Sequence, residues 1–124
     1  MEVKGLHTLL CEVTDMDRAI RFYRDVVGFA VMFESPHWSS LRAGSTNVGL
    51  HPPFERSGGA RGGGWIFGIE VSDMRAFRQK LTDAGVATTE YHDTPPGAII
   101  EFSDPDGNRL QAIQPGVMSK DLAD

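Results

Sequence analysis

The chain has 124 residues, enough for one domain that buries roughly two-thirds of its unfolded surface. With 23% charged and 40% apolar residues it has an ordinary globular composition, and a net charge of -5 with no Lys/Arg cluster argues against nucleic acid or an anionic membrane as partner. No apolar run approaches the ~18 residues of a bilayer span. Met1-Glu2-Val3-Lys4 lacks a signal peptide's layout, and a lone Cys11 excludes an internal disulfide or a Cys-rich zinc site and fits a reducing cytoplasm.

Leu6 to Val13 reads as a strand with Leu9, Cys11 and Val13 on one face and Thr8, Leu10 and Glu12 on the other. Asp15 is the expected N-cap of a helix over 16–27, closed by Gly28 in a left-handed C-cap. Ala19, Ile20, Tyr23 and Val27 form its apolar stripe. Phe29 to Glu34, Trp38 to Arg42 and Thr46 to His51 follow as short strands, the last two joined by a tight turn at Gly44-Ser45.

Residues 53–63 are rich in Gly and Pro and read as a linker or flap. Trp65 to Val71 resumes a strand, and a second helix over 74–84 follows its cap, Asp73. Ala87 to Tyr91, Ala98 to Ser103 and Arg109 to Gln114 are the remaining predicted strands. Asp104-Pro105-Asp106-Gly107-Asn108 is the turn between the last two. Residues 116–124 read as a polar, fraying tail.

Val13-Thr14-Asp15-Met16 and Val71-Ser72-Asp73-Met74 open the same strand–helix–strands unit twice. The expected architecture is therefore α+β, with two pseudo-symmetric βαβββ modules over residues 5–52 and 64–115. They are expected to form a curved eight-stranded mixed sheet with helices on its convex face. Alternation assigns the apolar sets (Leu9, Cys11, Val13; Val48, Leu50; Trp65, Phe67, Ile69; Ile100, Phe102; Leu110, Ala112) to the helix side. The mixed-polarity sets (Thr8, Leu10, Glu12; Trp38, Ser40, Arg42; Asn47, Gly49, His51; Ile66, Gly68, Glu70; Ile99, Glu101; Arg109, Gln111, Ile113) take the opposite, concave face, the candidate ligand cleft.

The segment Thr14-Asp15-Met16-Asp17-Arg18-Ala19-Ile20-Arg21-Phe22-Tyr23-Arg24-Asp25-Val26-Val27-Gly28-Phe29 resembles the first-helix signature of the vicinal oxygen chelate superfamily. Phe102-Ser103-Asp104-Pro105-Asp106-Gly107-Asn108-Arg109-Leu110 resembles its last-hairpin signature. That superfamily comprises glyoxalase I, bleomycin- and fosfomycin-resistance proteins and extradiol dioxygenases. The resemblance implies paired βαβββ modules, usually in a homodimer, and a divalent metal held by His, Glu or Gln in the enzymes. The implied ligand positions fall here at Thr8, Gly64 and Gln111, with a pseudo-symmetric position near Gly49. These offer at most one weak oxygen donor where three or more are needed, so no metal is expected in the usual site.

Several residues carry the remaining functional readings. His7 stands one position from the implied first ligand, on the opposite strand face unless a bulge intervenes. His51 and Glu101 are the candidate acid–base pair, and His51, Glu101 and Gln111 an alternative ligand set; His51 as a mere strand-end cap is the bland alternative. Glu101 requires a partner, which Arg109 on the next strand can supply, or a ligand. Trp38 reads as an aromatic platform or as dimer packing. The ligand-binding candidates are Trp38, Arg42, His51, Glu101, Arg109 and Gln111. The favoured reading is a cytoplasmic, homodimeric, metal-free protein that binds a small organic molecule, with no cofactor and with catalysis left open. The alternatives are a metal-dependent lyase, isomerase or dioxygenase with displaced ligands drawn from His7, His51, Glu101 and Gln111, and a regulatory dimer with a vestigial cavity.

Overall fold

The structure is a computed structural model that describes residues 8–53 and 67–123. His7, Gly64, Trp65, Ile66 and nearly all of the expected linker lie outside the described residues. The chain divides into two compact units, residues 1–61 and 62–124. Each holds one module.

The first module runs β1 (Leu9–Glu12), α1 (Met16–Arg21), β2 (Ala30–Phe33), β3 (Ser39–Ala43) and β4 (Thr46–His51). Asp15 caps α1 by accepting the Arg18 N–H at 3.0 Å, which satisfies one of the donors that a helix start leaves unpaired. The helix does not stay α-helical to its end. Phe22–Val27 continues it as a wider π-helical stretch, and the N–H groups of Gly28 and Phe29 both close on the Tyr23 carbonyl, at 2.9 and 2.8 Å. Gly28 takes the left-handed conformation expected of it, φ 99°.

The four strands form a mixed sheet in the order β1-β4-β3-β2, with β1 parallel to β4 and the other pairs antiparallel. Cys11, Leu41, Val48 and Leu50 share the face that the helix covers. Cys11 Sγ lies 3.7 Å from the Tyr23 hydroxyl, and the Tyr23 ring stacks on Phe29 at 5.6 Å. Leu41, Leu50 and Tyr23 are wholly buried. Each such aliphatic side chain contributes about 1.5–3 kcal/mol on leaving water, and this face is the module's core.

The second module runs β5 (Phe67–Glu70), α2 (Met74–Asp83), β6 (His92–Thr94), β7 (Gly97–Ser103), β8 (Arg109–Ile113) and a short α3 (Ser119–Leu122). Its mixed sheet has the matching order β5-β8-β7-β6, and Asp73 repeats the cap by accepting the Ala76 N–H at 3.1 Å. Ile100, Phe102, Leu110 and Ala112 are buried, with Phe77 of α2 against Phe102 at 5.8 Å. The β7–β8 turn is organised by Asp104, whose carboxylate accepts the N–H groups of Asp106 and Asn108 and the Asn108 side-chain amide at 2.8–2.9 Å. The eight strands and two modules are those of the expected α+β architecture, as two four-stranded sheets. No helix among the described residues is long and apolar enough to cross a membrane.

Two segments differ from expectation. Ala87 to Tyr91 is not a regular strand; the ladder with β7 begins only at His92, opposite Ile99. At Thr89 the side-chain hydroxyl, rather than a backbone carbonyl, accepts the Glu101 N–H at 2.9 Å, so the regular pairing breaks there. The described part of the tail, to residue 123, is anchored rather than frayed. Arg75 donates to the carbonyls of Asp121, Leu122 and Ala123 at 2.9–3.3 Å, Asp93 accepts from the Ser119 N–H and hydroxyl at 2.7 Å each, and Leu122 is buried. Its polar composition hides one buried leucine and several paired backbone groups.

Candidate functional site

Alternation places Leu10, Glu12, Ser40, Arg42, Asn47, Gly49 and His51 on the first sheet's face away from the helix, in the register Leu10–Gly49–Ser40 and Glu12–His51. Trp38, just before β3, joins them. A Cβ built on Gly49 would stand 2.5 and 2.8 Å from two ring carbons of Trp38 and 2.8 Å from Leu10 Cδ1. The indole therefore lies directly on the bare backbone of Gly49, with Leu10 beside it. A shift in register between Val31 and Phe33 brings Phe33 opposite Ser40, onto the same face. Leu10, Phe33 and Trp38 are 45%, 53% and 37% exposed, three of the four large apolar side chains exposed among the described residues. This face is an apolar and aromatic surface with Arg42 and His51 at its margins. The His51 Nδ1 lies 2.6 Å from the Pro52 carbonyl, which only accepts, so Nδ1 carries the hydrogen.

The second sheet's matching face holds Glu101, Arg109, Gln111, Ile99 and Ile113. Here the predicted residues meet. Arg109 donates to one carboxylate oxygen of Glu101, and the Gln111 amide donates to the other at 3.1 Å. These bonds hold the Glu101 carboxyl below the usual carboxylate range. Arg109 is the largest cause and Gln111 the next; partial desolvation opposes them, and the charges of Arg109 and His92 add to the lowering. Both carboxylate oxygens of Glu101 are thus engaged within the second module. His92, opposite Ile99, contributes to this face and was not among the sequence candidates.

Three of the four implied metal-ligand positions, Thr8, Gly49 and Gln111, lie among the described residues. The Thr8 hydroxyl donates to the Asn47 carbonyl at 3.2 Å. Gly49 has no donor, and the space over it is filled by Trp38. Gln111 turns its amino group toward Glu101, leaving one amide oxygen. Among the described residues no three His, Cys, Asp or Glu side chains converge as a metal site would need. Sequence reasoning treated Gly49 as a missing ligand and passed over its use as a seat. The available signal was a glycine in mid-strand, which marks a close approach by another group.

Comparison with known proteins bears on both modules. The model of the Glyoxalase/Bleomycin resistance protein/Dioxygenase superfamily matches residues 5–112. The Metallothiol transferase FosB of Shouchella clausii (strain KSM-K16) is 28% identical over 127 residues, covering 98% of this chain and 86% of that protein. Among solved structures, TnmS3, an antibiotic binding protein from Streptomyces sp. CB03234, is 27% identical with a TM-score of 0.79, covering 94% of this chain and 99% of its own. A lactoylglutathione lyase from Agrobacterium tumefaciens, at 19% identity and a TM-score of 0.73 over 92% of this chain and 96% of its own, shares the fold. Two βαβββ modules with the expected caps and hairpin, and a family model that spans both, place the chain in the Glyoxalase/Bleomycin resistance protein/Dioxygenase superfamily.

Proposed function

We propose that this chain binds a small organic molecule by a planar apolar ring laid against Trp38 and Leu10, and that it does so without the divalent metal of the superfamily's enzymes. The observation that carries the reading is the Trp38 indole resting on Gly49 with part of its surface exposed. An aromatic ring offers large contact area at low entropic cost, and stacking geometry suits planar partners. Arg42 and His51 on the same face, and the Arg109–Glu101–Gln111 cluster of the second module, are polar groups available to orient a ligand. Similarity to an antibiotic binding protein supports binding as the activity. A homodimer, which the superfamily resemblance implies, and a cytoplasmic location, which the lone Cys11 fits, belong to the same reading.

The second reading is a metal-dependent transferase, lyase, isomerase or dioxygenase with displaced ligands, favoured by the likeness to a metallothiol transferase. Dialysis against nickel, zinc, cobalt and manganese, followed by metal analysis, separates the two. Retention well below one equivalent per chain is expected. One equivalent, lost on substituting His51 and Glu101 by Ala, would establish the second reading instead.

A further inference from the structure

The backbone of Trp38, whose ring lies over Gly49, is hydrogen-bonded by a neighbouring serine. Between β2 and β3 the chain turns through Ser35-Pro36-His37-Trp38, where no regular ladder holds the backbone. The Ser35 hydroxyl serves both backbone groups of Trp38: it donates to the Trp38 carbonyl at 2.7 Å and accepts the Trp38 N–H at 3.2 Å. Ser39 answers from the other side. Its hydroxyl donates to the Ser35 carbonyl at 3.3 Å and accepts the Ser35 N–H at 3.3 Å. Ser39 is wholly buried, so these two bonds satisfy a hydroxyl that would otherwise be costly to bury. The two serines form a reciprocal clasp with Trp38 enclosed in it.

We infer that Ser35 is a positioning residue, which pins the backbone of Trp38 so that its ring stays seated on Gly49 and is organised for a ligand before one arrives. This rests on the proposed function for its purpose, but the positioning stands on geometry alone. A hydroxyl that takes both the donor and the acceptor of one residue restrains that residue's backbone torsions, and with them the direction of its side chain. Trp38 stands just outside the β3 ladder, which begins at Ser39, so the clasp supplements the contact with Gly49 and Leu10 in directing its ring. Pre-organising a rigid aromatic group reduces the ordering cost of binding. Ser35→Ala removes only the two bonds to Trp38, because the Ser39 hydroxyl bonds to the backbone of residue 35.

The test uses the full chain with Trp65→Phe, so that Trp38 is the single tryptophan, labelled as 5-fluorotryptophan. The parent is expected to give one sharp fluorine resonance with limited quenching by acrylamide. Ser35→Ala, which removes two bonds, should shift the seated-to-unseated ratio by about five- to thirtyfold, the factor for one to two net hydrogen bonds. It should move or broaden the resonance toward that of a solvated tryptophan and raise quenching, while circular dichroism stays unchanged. Ser35→Thr, which keeps the hydroxyl, should restore the parent spectrum. A Ser35→Ala spectrum and quenching equal to the parent's would overturn the inference, as would equal perturbation by Thr and Ala. Failure of the functional reading shows separately: planar aromatic probes would then bind the Trp38→Ala variant as well as the parent, whatever the fluorine spectrum reports.

Discussion

Gly49→Ala is the substitution that most sharply examines the seat. The added methyl would stand 2.5 and 2.8 Å from Trp38 ring carbons and 2.8 Å from Leu10 Cδ1. Carbon atoms in contact rest about 3.5–4.0 Å apart, so the ring and the leucine end must retreat by about 1 Å. In a sealed core such overpacking costs about 1–3 kcal/mol. Here Trp38 and Leu10 are both partly exposed and can move outward. Gly49 lacks a positive φ, so alanine meets no backbone strain and gains about 0.4–1 kcal/mol by restricting the unfolded chain. The net cost is therefore about 1 kcal/mol or less, a fall in Tm of about 3–5 °C at most. The large effect falls on the indole: in the Trp65→Phe background its emission should shift to the red and acrylamide quenching should rise. Equilibrium denaturation and fluorescence on the same samples check both parts. Unchanged Trp38 emission would refute the seated ring, and destabilisation beyond about 3 kcal/mol would refute its freedom to move.

Three further outcomes follow from other contacts. Because the folded Glu101 carboxyl is held below its ordinary value, its contribution to stability is present above the unfolded carboxylate pKa and is lost as pH falls through the lower folded value. Glu101→Gln should thus be less stable than the parent near neutrality, with the gap closing in acid, as pH-dependent urea denaturation would show. Asp93 is lowered in the same direction, chiefly by the Ser119 hydroxyl and then its N–H. Asp93→Asn should accelerate hydrogen exchange across residues 116–122 and leave the β7–β8 amides protected. Asp73→Ala removes the acceptor for the Ala76 N–H and should cost about 1 kcal/mol in chemical denaturation, with Asp73→Asn recovering most of it.

Much of the fold was legible because local rules and global architecture agree. Asp15, Gly28, Asp73 and the Asp104 turn behave as their residue types require, and strict alternation sorted Cys11, Leu50, Ile100 and Leu110 from Leu10, His51, Glu101 and Gln111. The Glu101–Arg109 pair was legible too, since neighbouring strands of one hairpin put both on one face. What escaped depends on side chains substituting for backbone. Thr89 breaks a predicted strand by offering its hydroxyl, and Ser35 with Ser39 builds a clasp that no periodicity announces. The docked tail escaped for a related reason, as its anchors, Arg75 and Asp93, lie more than 25 residues away in sequence. Gly49 was visible as a residue but not as a seat, because its meaning lies in the ring above it.

The most direct measurement is a titration of two- and three-ring planar aromatic probes, followed by probe anisotropy, against the Trp65→Phe chain and its Trp38→Ala derivative, each with and without a chelator. Saturable binding that survives the chelator and is lost with Trp38 is the expected result. Binding that ignores Trp38, or that vanishes with the chelator and returns with added metal, would contradict it.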